Sequence, residues 1–150
     1  MVTENNLPMT CPECGAPLVD GMTCWEQLGG ILAWEAQDPE LQAVHFLTVA
    51  TYNLQHPAQF TDEAVAGLRS ALIDHLDHGV AVEKLRRRAS QAYEGKRRVF
   101  KAEAERRPVL GRWQMTIADV YLPDQPEGAA ARVRAWAAAV RSELGVRSDE

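Results

Sequence analysis

The chain is expected to be all-α, an antiparallel bundle of about five helices with a zinc knuckle at its N-terminus. Three observations lead there. Apolar residues recur at helical spacing in successive stretches, most of them opened by a capping signal and closed by Gly or Pro. No βαβ pattern is visible. All three cysteines, Cys11, Cys14 and Cys24, fall within the first 24 residues, in the arrangement Cys-Pro-Glu-Cys-Gly followed by a third cysteine.

The elements follow in order. Asp20-Gly21 is a turn signal between the knuckle and the first helix. Thr23 to Glu26 reads as a capping box, so a helix is expected over 24–37 with Leu28, Ile31, Leu32 and Glu35 at helical spacing. Gly29-Gly30 weakens its middle, each glycine costing about 1 kcal/mol relative to alanine. Asp38-Pro39 supplies an N-cap and a proline at N1 for a second helix, which runs to about residue 56, where Pro57 stops it.

Thr61-Asp62-Glu63 opens a third helix ending at His78, with Gly79 as its left-handed terminator. Val65, Leu68, Leu72, Ile73 and Leu76 are its inward set. A fourth is expected from residue 81 towards 105, with Val82, Leu85, Ala89, Tyr93, Val99 and Phe100 on one side; Gly95 and Pro108 are its weak points. Residues 109–126 read as irregular with one short helix near Thr116-Ile117-Ala118-Asp119. A last helix, 127–144, places Val133, Trp136, Val140 and Leu144 on one stripe. Short connections make the first three helices antiparallel neighbours.

The 150 residues are most simply one domain, with 1–24 as the knuckle and 24–145 as the bundle. A hydrophobic content of 46% with 25% charged residues suits a globular chain. The opening residues lack a basic segment followed by an apolar one, and no run is long enough to span a membrane, so a cytoplasmic location is expected. The net charge of −5 conceals a strong asymmetry. Residues 1–83 carry one basic residue, Arg69, against twelve acidic ones, whereas residues 84–112 carry eleven basic against three acidic. Such a split points to an anion-binding face, or to halves of the chain that attract each other.

Zn²⁺ takes four ligands at tetrahedral angles, and structural sites use Cys and His. Two residues between cysteines let one tight turn aim both sulfurs at a single point, and Gly15 follows where the backbone must curl. A thioredoxin-like use of the Cys-x-x-Cys lacks its scaffold, and three cysteines are an odd count for disulfides. Geometry ranks the histidines for the fourth position. If the second helix runs back along the first, residues 51–56 return to the level of Cys24, which favours His56; His45 is the alternative, followed by water, Asp20 or Glu26.

CPECGAPLVDGMTC, DPELQAVHFLTVATYNLQHP, and MTIADVYLPDQPEG with ARVRAWAAAV together resemble an uncharacterised bacterial family known only as a domain of unknown function. The resemblance spans nearly the whole chain. It implies an intact domain and a bacterial origin but no reaction, and it draws attention to Cys11, Cys14, Cys24, His45, His56 and Asp119.

Chemistry beyond a structural zinc has three openings. The zinc-deaminase pattern fails, because Cys24-Trp25-Glu26 follows the Cys-x-x-Cys instead of preceding it. A second polar site of Glu35, His45 and Asp119, joined by His75 or His78, would make the protein a metal-dependent enzyme; the plainer account of Glu35 and His45 is a satisfied polar pair. The basic run Arg86, Arg87, Arg88, Lys96, Arg97, Arg98 and Lys101 would suit nucleic acid or another anion, though a solvated helix face partly neutralised by the acidic N-terminal half is the favoured account and no groove-reading motif accompanies it. A homodimer or protein partner would use the opposite charges across a contact. The reading carried forward is a zinc-binding module with no catalytic residues.

Overall fold

The computed structural model describes residues 9–92 and 98–145. Among the described residues are six α-helices, α1 (Cys24–Trp34), α2 (Pro39–Ala43), α3 (His45–Leu54), α4 (Asp62–His78), α5 (Val82–Ala92) and α6 (Ala129–Gly145), with short 3-10 turns after α1, after α3 and between α5 and α6. No strand occurs among the described residues, only isolated bridges. None of these helices is long and apolar enough to cross a membrane.

Local signals in the sequence set most of the boundaries. The Thr23 side chain accepts from the Glu26 N–H while the Glu26 carboxylate accepts from the Thr23 N–H, a complete capping box at α1. Asp38 accepts from the Leu41 N–H at α2, and Thr61 from the Ala64 N–H at α4. Gly79 closes α4 at φ +67°, as a residue without Cβ can. Gly30 has a packing reason to be glycine: a Cβ there would lie 2.6 Å from the Tyr121 ring, which stacks on Trp34.

Two expectations need correction. The second helix is not continuous. It breaks at Val44 (φ −106°, ψ 22°), whose N–H bonds back to the Leu41 carbonyl in a tight i→i−3 turn. A β-branched residue is a weak place in a helix, and the break lets Leu41 and Val44 both reach the core. The fourth helix is described only to Ala92, and by residues 99–101 the chain runs extended. There the Thr61 N–H donates to the Val99 carbonyl and the Lys101 N–H to the Gln59 carbonyl, and Phe100 stacks on Phe60 across the bridge. Val99 and Phe100 therefore pack from a strap over the start of α4 and share no helix face with Leu85. Tyr93, Lys96 and Arg97 lie outside the described residues.

The core lies where α3, α4 and α6 meet, with α1 closing one side. Trp136, Ile31, Leu41, Leu72, Ile117, Val120, Val133 and Val140 are fully buried. Of the inward set expected on α4, Leu72 alone is fully buried; Val65, Leu68 and Leu76 pack partly exposed against the core. Residues 109–126 are irregular apart from a 3-10 turn at Ile117–Asp119, capped by Thr116 and Asp119 in a second capping box. A polar seam of Gln27, Thr48, Thr51 and Gln55 runs through the apolar interior. Gln55 is satisfied at both ends: its Nε2 donates to the Met115 carbonyl, and its Oε1 accepts from Trp136 Nε1.

Candidate metal centre

The knuckle is a tight turn built by its own backbone. The Cys11 N–H donates to the Ala16 carbonyl and the Gly15 N–H to the Cys11 carbonyl, with Gly15 at φ +82°. Asp20 (φ +52°) and Gly21 (φ +76°) then form a two-residue hairpin turn flanked by reciprocal bonds between Val19 and Met22, which returns the chain to Thr23 and α1. Gln27, one turn into α1, donates its side-chain nitrogen to the carbonyls of both Pro17 and Met22. This buried amide clamps the two arms of the knuckle to the helix.

α3 brings the fourth group. Cys24 at the start of α1 meets Tyr52 and His56 at the end of α3, and Glu35 just beyond α1 meets His45 at the start of α3. The two helices thus run antiparallel. The ligand atoms of Cys11, Cys14, Cys24 and His56 all lie within 4.8 Å of one another. Cys14, Cys24 and His56 are buried and Cys11 is partly exposed.

These distances can be set against what a metal requires. A tetrahedron with Zn–S of about 2.3 Å and Zn–N of about 2.0 Å has S···N edges of about 3.5 Å. His56 Nε2 lies 3.4 Å from Cys24 Sγ and 3.7 Å from Cys11 Sγ. His56 Nδ1 is 2.7 Å from the Tyr52 carbonyl, to which it donates, so Nε2 is the nitrogen turned towards the sulfurs. The donor set fits a tetrahedral, thiolate-preferring ion.

Each sulfur also has protein donors. The backbone N–H groups of Glu13 and Cys14 point at Cys11 Sγ and that of Ala16 at Cys14 Sγ, all at 3.4 Å. Tyr52 Oη lies 3.5 Å from Cys24 Sγ. Hydrogen bonds of this kind favour the ionised form. The protein's own groups polarise the cluster strongly. The neighbouring Cys14 thiol, with help from His56 and Tyr52 and against the effect of burial, holds the Cys24 thiol well below the usual thiol range. The same contact with Cys24, together with burial, pushes Cys14 up. Burial works to lower His56, but the Cys24 thiolate and the Tyr52 carbonyl outweigh it and raise the imidazole to about 9.

The family of unknown function DUF5946 matches residues 9–145, from just before the knuckle to the end of α6. The chain belongs to this family. No curated protein and no solved structure matches the chain. The DUF5946 match takes in both the knuckle and the helices.

The other candidate residues are placed differently. His45 pairs with Glu35 at 2.8 Å, away from the sulfurs, while Asp20 sits in the hairpin turn and Glu26 in the capping box. The Asp119 carboxylate accepts from the Thr116 N–H. Among the described residues the Cys₃His cluster is the one group of three or more His, Cys, Asp or Glu gathered at ligand distance, so Glu35, His45 and Asp119 do not converge. His75 Nδ1 donates to the Val80 carbonyl. In the basic run, Arg88 pairs with Asp74 at 2.8 Å, the Arg98 carbonyl accepts from Thr61, and Lys101 lies 3.9 Å from Asp62; Arg86 and Arg87 are exposed.

Two contributors were not singled out from sequence. Gln27 lies three residues after Cys24 on the same face of α1, and Tyr52 four residues before His56 near the end of α3, and that spacing was the available signal. The Tyr52 ring also stacks on His56 at 4.0 Å. Tyr52→Phe keeps the stack and removes the hydroxyl, and is expected to weaken metal binding by roughly 10–100-fold. Competition against a chromophoric chelator measures it, and an unchanged affinity would show that the hydroxyl plays no part.

Proposed function

We propose that the chain is a small binding or regulatory module held together by one structural zinc ion, with Cys11, Cys14, Cys24 and His56 as its ligands. The observation that carries this reading is the complete set of partners around the cluster. Every sulfur has a hydrogen-bond donor, and the histidine has its tautomer fixed by Tyr52. Zinc supplies a fixed tetrahedral cross-link between the knuckle and α3. Four protein ligands leave no open coordination position, the mark of a structural site and not a catalytic one. Thiolates maintained for metal suit a reducing compartment such as the cytoplasm.

Metal analysis of protein produced without added metal tests this. One zinc per chain is the expected result. Two would favour the enzyme reading with a second ion near Glu35 and His45, and none would contradict the proposal. Use of the basic segment on nucleic acid would instead appear as an affinity that falls steeply with salt.

A further inference from the structure

Beside the knuckle lies a groove that the metal centre does not use. It has a volume of about 600 Å³ and opens between α4 and the strap formed by residues 101–109. That is the size of a small-molecule site. Its apolar walls come from Val65 and Ile73 on α4, Pro57 directly after His56, and Val109 on the strap.

Three cations line it, Arg69, Lys101 and Arg107, against two carboxylates, Glu13 and Asp62. Both carboxylates already have partners. Glu13 Oε2 accepts from the Ala58 N–H at 2.7 Å, and the Asp62 side chain is fully exposed, 3.9 Å from Lys101. Backbone carbonyls anchor the two arginines. Arg69 donates one Nη2 hydrogen to the Leu144 carbonyl, and Arg107 donates through Nη1 to the carbonyls of Ala104 and Arg106. A guanidinium has five N–H donors. Those that remain have no partner among the described residues, and a weakly hydrated guanidinium beside an apolar wall suits a carboxylate or phosphate.

We propose that this groove binds a small organic anion, an apolar body bearing one carboxylate or phosphate group. The body lies against Val65, Ile73 and Val109, and the acid group meets Arg107 and Lys101, with Arg69 behind them. This names a ligand class for the binding module and rests on the zinc reading in one respect: the Cys-x-x-Cys turn forms one wall through Glu13, whose carbonyl also accepts from the Gly111 N–H.

The test is an amide NMR titration of the full chain with phenyl phosphate, benzoate and inorganic phosphate, with zinc content measured on the same sample. Saturable shifts are expected at Val65, Arg69, Ile73 and Lys101, with phenyl phosphate binding at least tenfold tighter than inorganic phosphate. The double variant Lys101→Ala, Arg107→Ala should weaken binding at least tenfold while its other resonances stay in place. Arg86→Ala, in the separate apolar groove by Phe46 and Leu85, should leave binding unchanged. Any of three results overturns the proposal: no saturable shift, shifts centred on that other groove, or a double variant that binds like the parent. Missing zinc with these shifts present would count against the metal centre alone.

Discussion

Cys14→Ser will strip the metal from the protein and loosen the knuckle. Cys14 is almost wholly buried beside Cys24, so the serine leaves two thiols and a histidine packed together without the ion they are proposed to share. Structural zinc contributes about 10–16 kcal/mol in small zinc-dependent peptides. Even a fraction of that is large beside the roughly 5–15 kcal/mol that stabilises an ordinary domain. The expected result is zinc content near zero and a fall in melting temperature of at least about 10 °C, at roughly 2–4 °C per kcal/mol for a chain of this length. Hydrogen exchange should locate the damage. Protection should vanish first across residues 9–24, while α4 and α6, built on Leu72, Val133, Trp136 and Val140, retain theirs. A variant that keeps its zinc and its melting temperature would show that Cys14 is not a ligand.

Trp136→Ala has the complementary signature. Trp136 is fully buried, and its indole N–H satisfies Gln55 Oε1 in the interior. Truncating a buried tryptophan costs about 3–5 kcal/mol, and the stranded buried acceptor adds about 1–3 kcal/mol. Urea denaturation should show a loss of at least about 3 kcal/mol with an unchanged dependence on denaturant. The folded fraction should still carry one zinc per chain, because no ligand has changed. A loss below about 1 kcal/mol would mean that the site had collapsed around the gap or that the tryptophan was never central to the core.

The contrast between these two substitutions reflects what the residues declare about themselves. The Cys-x-x-Cys turn, Asp20-Gly21 and the Thr23–Glu26 capping box each act over a few residues, so their geometry can be read locally. His56 was legible one step further out, because helix length and an antiparallel return fix which residues at the end of α3 and just beyond it reach the level of Cys24. The break at Val44 was not legible, since an apolar stripe from Leu41 to Leu54 fits a continuous helix as well as a bent one. Phe100 likewise follows a helical pattern in the sequence, yet it pairs with Phe60 through contacts forty residues apart that periodicity does not register. The groove at Arg69, Lys101 and Arg107 was hidden for the same reason: its cations come from separate segments, and two of them belong to a charge run that gives no hint of where the chain folds back.

X-ray absorption at the zinc edge, on protein purified without added metal, addresses the cross-link itself. Three sulfur neighbours at about 2.3 Å and one nitrogen at about 2.0 Å, the latter lost in His56→Ala, are the expected shell. A shell dominated by oxygen, or one unaffected by replacing His56, would contradict the joining of α3 to the knuckle through a shared ion.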